Sequence, residues 1–120
     1  MNEKRSTHRL DIELPAVIEM EDAKKSLALA TTINISGTGV CMLSKQRFNT
    51  GQELVLKINL PQEGQVAIHV KVVWVKEAMN FNTREYVAGI RITDAMKFDE
   101  AKFIKFYADK LIEFFKGKND

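Results

Sequence analysis

The chain has 120 residues, 45% of them hydrophobic and 28% charged, with a formal net charge of +2. That length holds one domain with a real core and excludes two ordinary ones. The near-balanced charge gives no general affinity for polyanions, so any anion site has to come from local placement of cations.

In chain order, residues 1–9 are polar and basic, with Lys4, Arg5, His8 and Arg9, and carry no apolar periodicity. They read as a flexible N-terminal arm ahead of a folded unit spanning 10–120. The opening MNEKRSTHRLDIELPAV lacks the apolar core of a secretory signal. No stretch reaches the roughly 18 apolar residues of a membrane helix. Both features point to the cytoplasm and away from membrane insertion.

From Leu10 the pattern acquires the period of two that marks half-buried strands. Leu10, Ile12 and Leu14 alternate with Asp11 and Glu13, and Pro15 demands an edge or a bulge. Leu27, Leu29, Thr31, Ile33 and Ile35 form a second strand with these side chains on one face, ended by Gly37 and Gly39. Val40 to Leu43 is a short third strand. Leu54, Leu56, Ile58 and Leu60 make the fourth, stopped by Pro61. Val66, Ile68, Val70, Val72 and Trp74 make the fifth, and parity places Trp74 in the core. Tyr86, Ala88, Ile90 and Ile92 make the sixth. Short alternating strands with closely spaced turn signals predict a mainly β protein, an antiparallel barrel or sandwich.

The tail changes period. From about Asp99 to Lys116, helix formers dominate, with acids at the start, Lys116 at the end and Gly117 just beyond. Its apolar residues, from Phe103 to Phe115, cover close to half the wheel. The expected role is to plug an open end of the barrel, and an arc that wide also admits a homodimer seam.

Two segments stand apart from the core pattern: Arg5-Ser6-Thr7-His8-Arg9 and Asn34-Ile35-Ser36-Gly37-Thr38-Gly39. A guanidinium is a permanently charged planar fork that fits phosphate oxygens or the O6 and N7 edge of guanine. Two such forks four residues apart let one mobile segment grip two points of one ligand. In the strand reading Asn34 and Ser36 share the outer face, where an amide and a hydroxyl can read a base edge. Gly37 and Gly39 let the backbone turn and approach a flat ligand. Arg91, opposite in parity to Ile90 and Ile92, either extends that shelf or is simply solvated.

In order and separation, R-x-x-x-R followed by N-x-S-x-x-G resembles the PilZ domain family. Val73-Trp74-Val75, Tyr86 to Ile92 and the closing helix add to the likeness, which covers essentially the whole chain. The resemblance implies a six-stranded antiparallel PilZ-type β-barrel with a C-terminal α-helix at about 99–116. It also implies a receptor for cyclic di-GMP, with no cofactor. Carried over, Arg5 and Arg9 contact guanine edges and phosphates, Asn34 and Ser36 bond a guanine, and Gly39 allows its close approach. Lys4, just before the arginine pair, influences whether one ligand or a stacked pair is held. Ligand binding is expected to order the arm, at a backbone cost on the order of 8–16 kcal/mol, and to change a surface read by a downstream protein of motility, biofilm or exopolysaccharide machinery.

Other classes fare worse. There is no nucleophile–base pairing, no metal-ligand spacing and no phosphate loop, which argues against an enzyme. With one cysteine, Cys41, and only His8 and His69, the basis for a metal site is poor. A nucleic-acid barrel would need outward aromatics on its strands, and low net charge speaks against it. The remaining alternative is a PilZ-type adaptor that acts through protein contacts without binding nucleotide.

Overall fold

The computed structural model describes residues 8–20, 26–80, 82–93 and 98–118. Six strands close into a barrel: β1 (Pro15–Met20), β2 (Leu27–Ile35), β3 (Gly39–Ser44), β4 (Glu53–Leu60), β5 (Gly64–Asn80) and β6 (Thr83–Ile92), followed by helix α1 (Phe98–Lys118). Around the barrel the order is β1-β2-β3-β6-β5-β4, with antiparallel neighbours. Closure removes the exposed sheet edges that would otherwise burden so short a β chain.

β5 is the spine. Its first half pairs with β4, from Gly64 opposite Leu60 to Lys71 opposite Glu53. Its second half pairs with β6, out to Asn80 opposite Thr83. Both hairpin turns use left-handed backbone. Gln62 (φ 74°) and Gly64 (φ 88°) serve the first, and Asn82 (φ 67°) serves the second, a conformation asparagine tolerates better than most residues.

Three expectations from periodicity are corrected. The first strand begins at Pro15, not Leu10. Proline has no N–H to give a ladder, so it opens the strand rather than ending it. Leu10 instead makes one bridge to Ile35, with both N–H···O distances 2.9 Å. The stretch between is held by Thr32, whose hydroxyl accepts from Leu14 N at 2.8 Å and donates to Ile12 O at 2.6 Å. Second, Leu27 and Leu29 are 64% and 78% exposed, while Ala30 and Thr32 face inward. A register shift between Thr32 and Asn34 inserts one residue, so Ile35 regains the core although the leucines on its parity do not. Third, a shift between Val72 and Trp74 turns Trp74 out of the core, 41% exposed.

The core is one cluster running through the barrel interior and onto α1, where Phe103, Phe106 and Tyr107 are buried in it. The first turn of α1 does more than meet the core. β6 stops pairing with β5 at Val70, so on that side, away from β4, the N–H groups of Ala67 and His69 meet no strand. Asp99 Oδ2 accepts from Ala67 N at 2.9 Å, and Glu100 Oε2 from His69 N at 2.6 Å. Glu100, 1% exposed, also lies 3.1 Å from His69 Nδ1. The acids that would favour a helix start thus finish a strand edge as well, which keeps a buried carboxylate hydrogen-bonded.

Candidate functional site

Four pieces of chain meet at one end of the barrel: the segment from His8 to Leu10, the β2–β3 turn, the bulged middle of β5, and the facing part of β6. The Leu10–Ile35 bridge lays the first beside the end of β2. Arg9 Nη1 then donates to Asn34 Oδ1 at 2.8 Å. That bond spans the two segments singled out by sequence and brings them together. Arg5 and Lys4 lie outside the described residues, as does the arm apart from His8 and Arg9.

The turn from Ser36 to Gly39 is built around one hydroxyl. Ser36 N donates to Gly39 O at 2.9 Å. Ser36 Oγ accepts from Thr38 N at 3.3 Å and Gly39 N at 3.2 Å, and lies 3.3 Å from Gly39 O as a donor. It also lies 3.3 Å from Thr38 Oγ1, so all its described contacts are within the turn. Ser36 is buried, not on the outer face with Asn34 as strand parity implied. It shapes the loop that presents Gly37 and Thr38.

Gly39 answers a backbone demand. A Cβ there would sit 2.2 Å from the carbonyl oxygen of Ile90 on β6. The close approach is therefore of strand to strand, and Arg91, paired across from Gly39, has no side chain opposite it on β3. Gly39→Ala is expected to lower stability by about 1–3 kcal/mol through forced separation of β3 and β6. Chemical denaturation checks this, and an unchanged midpoint would show that the ladder yields freely.

Between these pieces lies an open cleft of about 200 Å³, lined by Arg9, Thr38, Gly39, Val73, Trp74, Gly89, Ile90 and Arg91. Sequence parity missed Trp74 and Gly89. They are cross-strand partners, and a Cβ on Gly89 would come within 2.2 Å of Trp74 Nε1, so the indole lies flat over the glycine. A large aromatic facing a glycine across adjacent strands was the signal available. Arg91 also pairs across from Lys71 on β5, which adds a third cation to this end of the sheet. The field reaches inward: burial pushes the Cys41 thiol above its ordinary pKa, and the charge of Arg9 partly offsets that. Guanidinium forks at the rim suit phosphate or a guanine edge, and an exposed indole face suits a flat base.

The family model for the PilZ domain matches residues 3–108, which include both RSTHR and NISGTG. The chain belongs to the PilZ family. Among solved structures, this PilZ domain is similar to the "PilZ domain with c-di-GMP of YcgR" from Escherichia coli. There the TM-score is 0.70 at 14% identity, over 98% of both chains. It is also similar to the Bacillus subtilis inhibitor of motility MotI/DgrA, with TM-score 0.70 and 18% identity over 93% of this chain and 53% of that one. The "K. pneumonia MrkH-c-di-GMP complex" matches with TM-score 0.68 and 13% identity, over 98% of this chain and 54% of that one. The PilZ domain here thus spans the whole of the YcgR domain and about half of the longer proteins, and at these identities the likeness shows the fold alone. No curated protein matches in sequence. Among the described residues of the domain, no three His, Cys, Asp or Glu side chains gather as a metal site. No helix among them is long and apolar enough to cross a membrane.

Proposed function

We propose that this PilZ domain is a receptor for cyclic di-GMP that relays the signal to a protein partner rather than transforming the ligand. The observation that carries the reading is the Arg9–Asn34 bond beside a cleft floored by Trp74. Two structural neighbours, the YcgR domain and MrkH, are described with that nucleotide, which supports the choice of ligand.

In this reading one guanine stacks on the Trp74 indole. Arg9 and Arg91 take up phosphate and the guanine O6 and N7 edge, and Asn34 bonds a base edge after releasing, or sharing, Arg9. Ser36 acts through the turn it organises, and Gly37 with Thr38 forms the lip of the site. A cleft of about 200 Å³ holds one base and not a whole cyclic dinucleotide. The remainder of the ligand therefore lies outside the cleft, and Arg5 and Lys4 of the arm are the residues proposed to hold it. Ordering that arm creates the surface a partner reads. The work is done in the cytoplasm, without metal or cofactor, and no covalent bond changes.

Trp74 is the only tryptophan of the chain, so its emission reports the site directly. Titration with cyclic di-GMP is expected to give calorimetric heat and a saturable change in Trp74 fluorescence with one midpoint. Absence of both signals at millimolar nucleotide would leave the adaptor reading in possession.

A further inference from the structure

Arg9 is central to the proposed site, and a long side chain is only as well aimed as the backbone it leaves. Both peptide units that flank its Cα are held. On one side the Leu10 N–H donates to Ile35 O at 2.9 Å, which ties the Arg9–Leu10 peptide to β2. On the other side Tyr107 Oη donates to the His8 carbonyl, which ties the His8–Arg9 peptide to α1. A peptide unit is planar, so a bond to each of the two planes constrains φ and ψ at Arg9, and with them the direction of its Cα–Cβ bond.

The anchor on α1 is rigid. Tyr107 is 6% exposed, and its ring belongs to the core cluster. A buried phenol needs a partner for its hydroxyl, and the partner here is the carbonyl next to Arg9. The His8 ring adds a second hold. It lies 5.2 Å from the Phe114 ring and 5.7 Å from that of Phe115, and those two meet edge to face at 5.4 Å. Seven residues, about two turns or 10 Å of helix, separate Tyr107 from Phe114, so both lie on one face. Phe114 and Phe115 stand outside the buried cluster, yet they close on His8. Helix α1 thus grips the residue before Arg9 by its backbone and by its side chain.

We propose that Tyr107 is a positioning residue for the nucleotide site. Through the His8 carbonyl it fixes the root of Arg9, so that the guanidinium points along Asn34 and the cleft before any ligand arrives. This role rests on the receptor reading above and adds to it a residue from an element that does not line the cleft. The aim is visible in the 2.8 Å bond from Arg9 Nη1 to Asn34 Oδ1. With His8 released, Arg9 would be held from the β2 side alone, and ligand binding would have to align it at an entropic cost. Helix α1 therefore has two duties. Phe103 and Phe106 seal the barrel, and Tyr107 with the last turns holds the segment that carries Arg9.

Tyr107→Phe keeps the buried ring and removes only the hydroxyl. In calorimetric titration with cyclic di-GMP it is expected to weaken binding by about 3- to 10-fold, the worth of one hydrogen bond. In an Arg9→Ala background the same substitution is expected to weaken binding no further, because a positioning residue acts through the group it positions. Amide exchange of the nucleotide-free protein gives a readout that needs no ligand. Tyr107→Phe is expected to speed exchange at Leu10, while the amides of β3 and β6 keep their rates. A parent protein that does not bind removes the receptor reading, and the role of Tyr107 falls with it. A parent that binds, with Tyr107→Phe binding equally well, overturns the positioning role alone. So does a loss of the same size in both backgrounds, since the hydroxyl would then support the fold at large and not Arg9. Unchanged exchange at Leu10 overturns it too.

Discussion

Arg9→Ala will weaken cyclic di-GMP binding by roughly 10- to 150-fold and leave the melting temperature where it was. The factor corresponds to losing hydrogen bonds to a charged group, about 1.5–3 kcal/mol. The indifference of the fold follows from the position of Arg9. It is exposed, and its single described side-chain bond, to Asn34, lies at the surface. Surface changes of that kind stay within about 0.5 kcal/mol of neutral. Arg9→Lys is expected to recover little, because an ammonium cannot offer the planar fork that matches phosphate or guanine. Calorimetric titration of the three proteins gives the ratio directly. An Arg9→Ala protein that binds as tightly as the parent would remove Arg9 from the site and break the link drawn between the two motifs.

Phe103→Ala will have the largest effect on stability, about 3–5 kcal/mol. Its ring is fully buried in the cluster that joins α1 to the barrel interior. Removing it leaves a void where helix and barrel meet, and neighbours fixed by the barrel ladder cannot collapse into that space. Against a typical total of 5–15 kcal/mol, such a loss is a large share. Urea unfolding measures it, and a loss below about 1 kcal/mol would mean that the helix rests on the barrel instead of sealing it. Ile112→Ala, on the exposed stripe of the same helix, is the natural comparison and should change little.

Much of the fold is legible in the residue order, because half-buried strands announce themselves by alternation. Leu54 to Leu60, Val66 to Val72 and the 98–118 helix appear where their periodicities put them. What escapes the pattern is the inserted residue. The shifts between Thr32 and Asn34 and between Val72 and Trp74 each reverse which parity faces inward, and no composition signal marks them. Those two bulges account for the exposed Leu27 and Leu29, and for a tryptophan that leaves the core to floor a cleft. The site shows the same division. Arg9 and Asn34, singled out by chemistry and spacing, are brought together by the fold. Ser36 lies inside the turn and not on the outer face because its hydroxyl bonds the turn's own backbone, and Trp74 and Gly89 come together only when their strands are paired. Pro15, expected at an edge or a bulge, opens β1, since a missing N–H is harmless at the first residue of a strand.

The carboxylates of Asp99 and Glu100 on the outer rung of β5 have a consequence for handling the molecule. A shortened chain ending before Phe98 would uncover the Ala67 and His69 amides along with the apolar mouth beneath them. Such a fragment would offer other molecules both an open backbone template and a sticky surface, the usual beginning of intermolecular sheet growth. The tail therefore acts as a guard against aggregation, and expression boundaries drawn at the end of the last strand should yield insoluble protein.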